Sequence, residues 1–403
     1  MIAGVSGIIL AGYGLIRRGG APPAPESQNP VHVVWAFEAV ERGAIVSSPY
    51  VAQDRVYVGA IQDQGLASTG AVYCLDRATG KAIWEFDNDG TMQHMYSSPC
   101  VAEGRLYIGE GMHANQVCNL YCLDPGTGKK LWNFETAGHI ESSPCVVENK
   151  VLFGSGDDGL YCLETKTGAL LWHFAGPFHM DSNPASAGAY VFAGSGVSRK
   201  HTSSAIFCLD LRDGAVVWRC PTDLPAWGSP VVEGNQVLCG LGNGRLMQSA
   251  RPPDKPAGAL FCLDRQTGEP QWHYDVADGV LAKPALDAER AYFGCRDGYC
   301  YAIDRKNGRL CWKANVGGAV VTSPCLCDGY LYVVPSAGRV CRLDAATGDV
   351  NWSFDVGEYS QTKPRLVSSP TVIREADGHH LIFFGAELRN PAASAAVVYC
   401  LRD

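Results

Sequence analysis

Basic clusters, helical periodicity and metal-finger spacings are all scarce in this chain of 403 residues. Only 18% of residues are charged, the formal net charge is −8, and Lys and Arg are scattered singly or in pairs. A nucleic-acid binder needs a basic stripe to neutralise phosphates, so that class is excluded. No Cys-x-x-Cys occurs among the 17 cysteines, the closest spacings being Cys325-Leu326-Cys327 and Cys118 with Cys122, which leaves a zinc finger without support. Gly-x-Ser-x-Gly, a P-loop and a strand-to-helix Gly-x-Gly-x-x-Gly are absent too, removing the hydrolase, nucleotide and dinucleotide readings. What the chain does have is apolar material, 46% of residues, together with 46 Gly and 23 Pro. That mixture suits many short strands and tight turns around a large core.

The cysteines fall in matching places. Cys74, Cys122, Cys162, Cys208, Cys262 and Cys400 each follow Tyr or Phe and precede Leu, while Cys100, Cys145 and Cys325 each follow Ser-Pro. Residues one repeat apart lie beyond the roughly 7 Å between Cα atoms that a disulfide tolerates. They read as small buried apolar residues.

One hydrophobic run stands apart from the rest. Residues 2–16 carry no charge and precede Arg17-Arg18. As a helix that run spans roughly 24 Å, short of the ~30 Å bilayer core, and it lacks the basic n-region of a secretory signal. Its expected role is a membrane anchor, followed by a Pro-rich spacer to residue 30. The basic pair favours a cytoplasmic domain.

Residues 31–403 are dominated by a repeat. LDRATGKAIW, LDPGTGKKLW, LETKTGALLW, LDLRDGAVVW, LDRQTGEPQW, IDRKNGRLCW and LDAATGDVNW end at Trp84, Trp132, Trp172, Trp218, Trp272, Trp312 and Trp352. A second marker, Ser-Pro or a close variant, recurs at Pro49, Pro99, Pro144, Pro184, Pro230, Pro284, Pro324 and Pro370. β-Branched and aromatic stretches bounded by Gly, Asn and Asp give four strands per unit. The Asp-x-x-Thr-Gly link is a hairpin whose Asp accepts backbone N–H groups and whose Gly supplies a positive φ. Four-stranded units without intervening helices predict an all-β fold, an eight-bladed β-propeller. The proline belongs to the innermost strand, whose free edge loses no ladder bond, and the Trp to the outermost, covering the seam with the next blade. The eighth blade, with strands near 368–372, 381–386 and 397–401, lacks an outer strand. VHVVWAF, which carries Trp35, supplies it and closes the ring.

These motifs resemble the quinoprotein-type propeller repeat, over nearly all of 31–403. One branch of that superfamily is the pyrroloquinoline-quinone-dependent alcohol dehydrogenases. The other is non-enzymatic, typified by the lipoprotein of the outer-membrane barrel-assembly machinery. The chain is much shorter than the dehydrogenases and lacks the adjacent Cys-Cys of many of them. The resemblance therefore implies a non-catalytic, monomeric propeller, membrane-tethered and facing the periplasm, that binds a protein or peptide partner without a cofactor. The alternative is an oxidoreductase using pyrroloquinoline quinone or a divalent metal at the channel mouth.

Within this frame one face is constant. The other carries unequal loops between second and third strands, including 61–70, 110–119, 195–204, 241–258 and 387–394, and variable loops on a fixed frame are where function sits. On that face His94, His139 and His179 stand five residues before three consecutive blade prolines, with Tyr96, Glu141 and Asp181 two residues on. His113, Arg199, Lys200 and His201 lie on neighbouring loops. Imidazoles with carboxylates suit a divalent metal or a polar or anionic ligand; duplicated histidines each bonded to a backbone carbonyl are the structural alternative. Asp157-Asp158-Gly159 and Arg296-Asp297-Gly298 read as turns.

Overall fold

The computed structural model describes residues 31–63, 68–113, 115–390 and 394–403. The hydrophobic run 2–16 and the spacer behind it lie outside these residues. Among the described residues no helix is long and apolar enough to cross a membrane, and all 17 cysteines are free.

Eight antiparallel sheets form the propeller. Blade two is representative, with Cys100–Ala102 innermost, then Arg105–Gly109, Cys118–Leu123 and Lys130–Thr136 outermost. The two middle strands are buried almost throughout, because each face meets a neighbouring blade, so they read as unbroken apolar runs. The outer strand alternates, as in the half-exposed Lys130–Thr136. Hydrophobic burial is divided into wedges between blades: Tyr57 and Cys74 of blade one, for example, pack with Leu106, Ile108 and Tyr121 of blade two. His32–Val40 pairs with Ser394–Arg402, Trp35 opposite Cys400 and Ala36 opposite Tyr399, so the two ends of the described chain share blade eight.

Each repeat residue has a defined task. In the turn after Cys74-Leu75, Asp76 Oδ1 accepts from the Thr79 N–H at 2.8 Å and from its hydroxyl at 2.6 Å, and Gly80 takes φ +68°. The indole of Trp35, from blade eight, lies over Gly80 of blade one, where an added Cβ would come within 2.6 Å of the ring. Its Nε1–H donates to the Arg77 carbonyl at 2.8 Å. The same seat, a Trp on the turn glycine of the next blade with its N–H on that turn's carbonyl, recurs for Trp84, Trp132, Trp172, Trp218, Trp272 and Trp312. Trp352 is the exception. Blade eight joins the two ends of the chain with no Asp-x-x-Thr-Gly hairpin, and the buried Trp352 Nε1–H meets no acceptor among the described residues.

Two features escaped the sequence. A one-residue register shift stands beside the Trp in all eight blades. It is a bulge that leaves residues such as Ile83 and Leu171 pointing outward. The prolines also lie just ahead of the innermost strands rather than within them: Pro99 precedes Cys100–Ala102.

The Ser-Ser that precedes Pro explains itself in the ring. In blades one and two the first hydroxyl accepts within its blade, from Gly59 N–H to Ser47 Oγ at 3.1 Å and from Gly109 N–H to Ser97 Oγ at 3.2 Å. Those of Ser142 and Ser368 donate to the carbonyls of Ser182 and Ser47 in the next blade. The second links blades. Ser48 N–H donates to Ser98 Oγ, Ser98 to Ser143, Ser143 to the Asn183 side-chain oxygen, Asn183 to Ser229, and Ser369 back to Ser48. Lys283 donates to Ser323, and Ser323 to Ser369. The collar lapses at the seam between blades five and six, where Lys283 holds the acceptor position without an oxygen. Lys283→Ser is expected to close the collar and raise stability by roughly 0.5–1.5 kcal/mol, measured as a shift in the denaturation midpoint at unchanged m-value.

Candidate functional site

The variable face gathers three imidazoles. In the loop of blade two the Met112 N–H donates to Asn115 Oδ1 at 2.9 Å. Before it stands Glu110, a buried carboxylate that accepts from the Gln93 and Asn119 backbone, the Asn119 amide and the Tyr121 hydroxyl. This fixes the loop of blade two so that His113 extends over the mouths of blades three and four. His139 and His179 come from the segments leading into the inner strands of those blades. His139 fits because Gly156, with φ +48°, leaves its place open; a Cβ there would come within 2.5 Å of the imidazole.

Asp181 is the hub. Its Oδ1 lies 3.1 Å from His139 Nε2, and its Oδ2 lies 2.7 Å from His179 Nε2 and 3.6 Å from His113 Nε2. Each of two rings is held from behind by a second carboxylate, His113 Nδ1 at 2.6 Å from Glu141 and His179 Nδ1 at 2.6 Å from Asp157. The rings of His113 and His139 stack at 4.8 Å, and Trp227 meets His179 edge-on at 5.8 Å. The hydrogen bond that His113 donates to Glu141 raises its pKa to about 9 against the opposing effect of burial. Burial pulls His179 down, but hydrogen bonds to Asp181 and Asp157 outweigh it and the pKa rises. Burial pushes Asp181 up, and the bonds from His139 and His179 more than reverse this, holding the carboxyl well below its usual range.

The other sequence candidates stand apart. His94 takes no part in the cluster: its carbonyl accepts from Gly111 N–H at 2.7 Å, and its buried Nδ1 meets no partner among the described residues. Burial, then the Glu141 charge, raises the Tyr96 pKa, Arg365 and Glu387 acting less strongly. The His201 backbone N–H closes a turn on Ser198 Oγ at 3.1 Å, and Arg199 and Lys200 are exposed. Asp158 and Asp297 are turn residues, accepting from the hydroxyls of Tyr161 and Tyr301 at 2.6 Å each. Their neighbours do more. Asp157 backs His179, and Arg296 anchors the long loop of blade five.

That loop is pinned by a second buried polar group. Arg296 donates to Asp278 Oδ1 through Nε at 2.9 Å and Nη2 at 2.6 Å, and to the carbonyls of Asn243 and Arg245; Ser249 donates to Asp278 as well. Gly279 occupies the position that holds His139 in blade three, and a Cβ there would come within 2.9 Å of Arg296 Nη2. Blade six thus exchanges the histidine-glycine arrangement for glycine-arginine. Sequence showed a bare glycine at the histidine register, and nothing local linked it to Arg296.

The profile of the outer membrane protein assembly factor BamB family matches residues 32–119, 68–253 and 256–389. The chain belongs to the BamB family. No curated protein sequence matches it. Among solved structures, BamB from Moraxella catarrhalis is 17% identical with a TM-score of 0.67, over 93% of this chain and all of that one. Quinohemoprotein alcohol dehydrogenase from Comamonas testosteroni is 13% identical with a TM-score of 0.67, over 93% of this chain and 76% of that one. A europium-containing methanol dehydrogenase is 13% identical with a TM-score of 0.66, over 92% and 93%. At these identities the likeness shows the propeller alone, not the chemistry.

The BamB-family site does not suit pyrroloquinoline quinone, the cofactor of the oxidoreductase alternative. That molecule bears three carboxylates, and the mouth already presents Glu141, Asp157 and Asp181. The guanidinium groups of Arg365 and Arg296 on the same face are ion-paired to Glu387 at 2.7 Å and to Asp278 at 2.6 Å.

Proposed function

We propose that the chain is a non-catalytic, membrane-tethered propeller, extracytoplasmic like a BamB lipoprotein, that docks a protein partner of an outer-membrane assembly complex on its variable face. The observation that carries this reading is the contrast between the two faces. One is built of near-identical, internally capped hairpins. The other holds loops of unequal length that are anchored at their bases yet present exposed apolar tips, Val117 at 51% exposure and Leu246 at 41%. Residues 251–256 of the same loop as Leu246 are exposed as well. Rigid bases with apolar tips suit docking, because little conformational entropy is lost when a partner binds.

A photo-crosslinking residue at Leu246 or Val117 in cells is expected to give a discrete adduct with an assembly-complex subunit. The same residue at Lys129, exposed on the opposite face, is expected to give none. Adducts from Lys129 alone, or equal adducts from both faces, would overturn the assignment.

A further inference from the structure

We propose that His113, His139, His179 and Asp181 form a binding site for one divalent transition-metal ion, zinc in the first instance, that ties the loop of blade two to blades three and four. This inference is independent of partner docking.

Each of the four residues offers a ligand atom, and all four atoms lie within 4.8 Å of one another. Tetrahedral zinc with metal–N and metal–O bonds of about 2.0–2.2 Å sets its ligands roughly 3.4 Å apart. Asp181 already stands 3.1, 2.7 and 3.6 Å from the three Nε2 atoms, so small rotations of the imidazoles complete the geometry.

The surrounding groups supply a second, independent argument. His113 and His179 each turn Nδ1 to a carboxylate, Glu141 and Asp157, at 2.6 Å. A carboxylate behind an imidazole holds the proton on that nitrogen and leaves the lone pair of the other facing forward, the arrangement that orients histidine ligands. Here both forward nitrogens point at the same carboxylate oxygen of Asp181. Without metal, Nε2–H protons bridge the rings to this oxygen; a divalent cation replaces those protons, and the freed lone pairs then converge on it. Three carboxylates also meet here around side chains as buried as His179, 2% exposed, and Asp181, 9% exposed, and a divalent ion offsets that charge.

The donor set selects the ion. Three imidazoles and one carboxylate, without thiolate, suit zinc, cobalt or nickel, whereas calcium and magnesium prefer all-oxygen shells. Four protein ligands make it a closed, structural type of site. Because His113 is half-exposed on its loop while the other three ligands sit at blade mouths, metal binding would set the shape of this part of the variable face.

The test uses the full-length protein, stripped with a chelator and titrated with zinc by calorimetry and elemental analysis. Cobalt provides the spectroscopic probe. One equivalent per chain is expected, with cobalt d–d bands of tetrahedral intensity. His113→Ala, on an exposed loop side chain that the fold does not need, should weaken zinc binding by roughly 100-fold or more and abolish those bands. Glu141→Gln, one step removed from the metal, should weaken it by about 10–100-fold. Failure of the stripped protein to take up zinc overturns the proposal. So does uptake that survives both variants, or that is lost instead in His380→Ala, since Cys327, Asp328 and His380 form the other cluster of metal-ligand type among the described residues.

Discussion

Replacing Trp172 by Ala is expected to lower stability by about 3–5 kcal/mol, the range for deleting a large buried aromatic side chain. The indole is 7% exposed, lies over Gly214 of the next blade and donates to the Leu211 carbonyl at 3.0 Å. Its removal opens a cavity at one seam and orphans one acceptor. Trp172→Phe keeps much of the apolar contact and loses the hydrogen bond, so about 1 kcal/mol of extra cost is assigned to that bond. Trp352 is the internal control. Its Nε1–H meets no acceptor among the described residues, so Trp352→Phe is expected to lose apolar contact alone and to cost about 1 kcal/mol less than Trp172→Phe. Chemical denaturation of the three variants checks the order. Equal losses for Trp172→Phe and Trp352→Phe would remove the docking bond as the explanation for the repeat.

Arg296→Met is the second large effect, a loss of about 3–5 kcal/mol. The change leaves Asp278, whose side chain is 8% exposed, buried without its cation. It also releases the carbonyls of Asn243 and Arg245, so the loop carrying Leu246 should become more protease-sensitive. The pH dependence separates this from simple loss of packing. Burial pushes the Asp278 carboxyl up, and the bonds from Arg296 and Ser249 pull it below its ordinary value. A depressed folded-state pKa stabilises above the unfolded value of about 3.9 and is lost as pH falls through the folded value. In Arg296→Met the cation is gone and burial is opposed only by the Ser249 hydroxyl and the Gly279 N–H, so the carboxyl pKa rises above its wild-type value. The variant should gain on wild type as pH falls from about 7 towards 5. Unfolding midpoints across that range measure it. A parallel pH profile for the two proteins would contradict the ion-pair account. Asp278→Leu added to Arg296→Met should recover much of the loss, since an apolar pair of similar volume is often neutral or better.

The propeller was readable because each mark of the repeat acts within one blade or on the next. Asp76 caps its own turn, Gly80 gives the turn its positive φ, and Trp84 reaches only as far as Pro125 and Gly128 of blade two. Side chains whose partners are one repeat away leave a periodic trace. The outward bulge beside each Trp was hidden, because an extra residue in an outer strand keeps an apolar type that sequence cannot tell from an inward one.

The candidate site was legible only in part. His139 and His179 share a register and meet, with ring centres 5.4 Å apart. His94 has the same register and does not join them, its place in the triad being taken by His113 from a loop. The register fixes where a side chain leaves the backbone. Which imidazole completes the group depends on how far the loop after Glu110 turns, and on Gly156 leaving space for His139. Neither was visible in spacing. The pairing of Arg296 with Asp278 was hidden for the same reason.

What the sequence by itself determined, then, is the number of blades, their four-strand order and the closure of the ring through Trp35, since these follow from contacts repeated at fixed spacing. Only the tertiary structure decided that Asp181 is shared by three imidazoles, that the serine collar breaks at Lys283 and that Trp352 has no seat. These depend on side chains from different blades converging at one point, and convergence is set by the curvature of the ring.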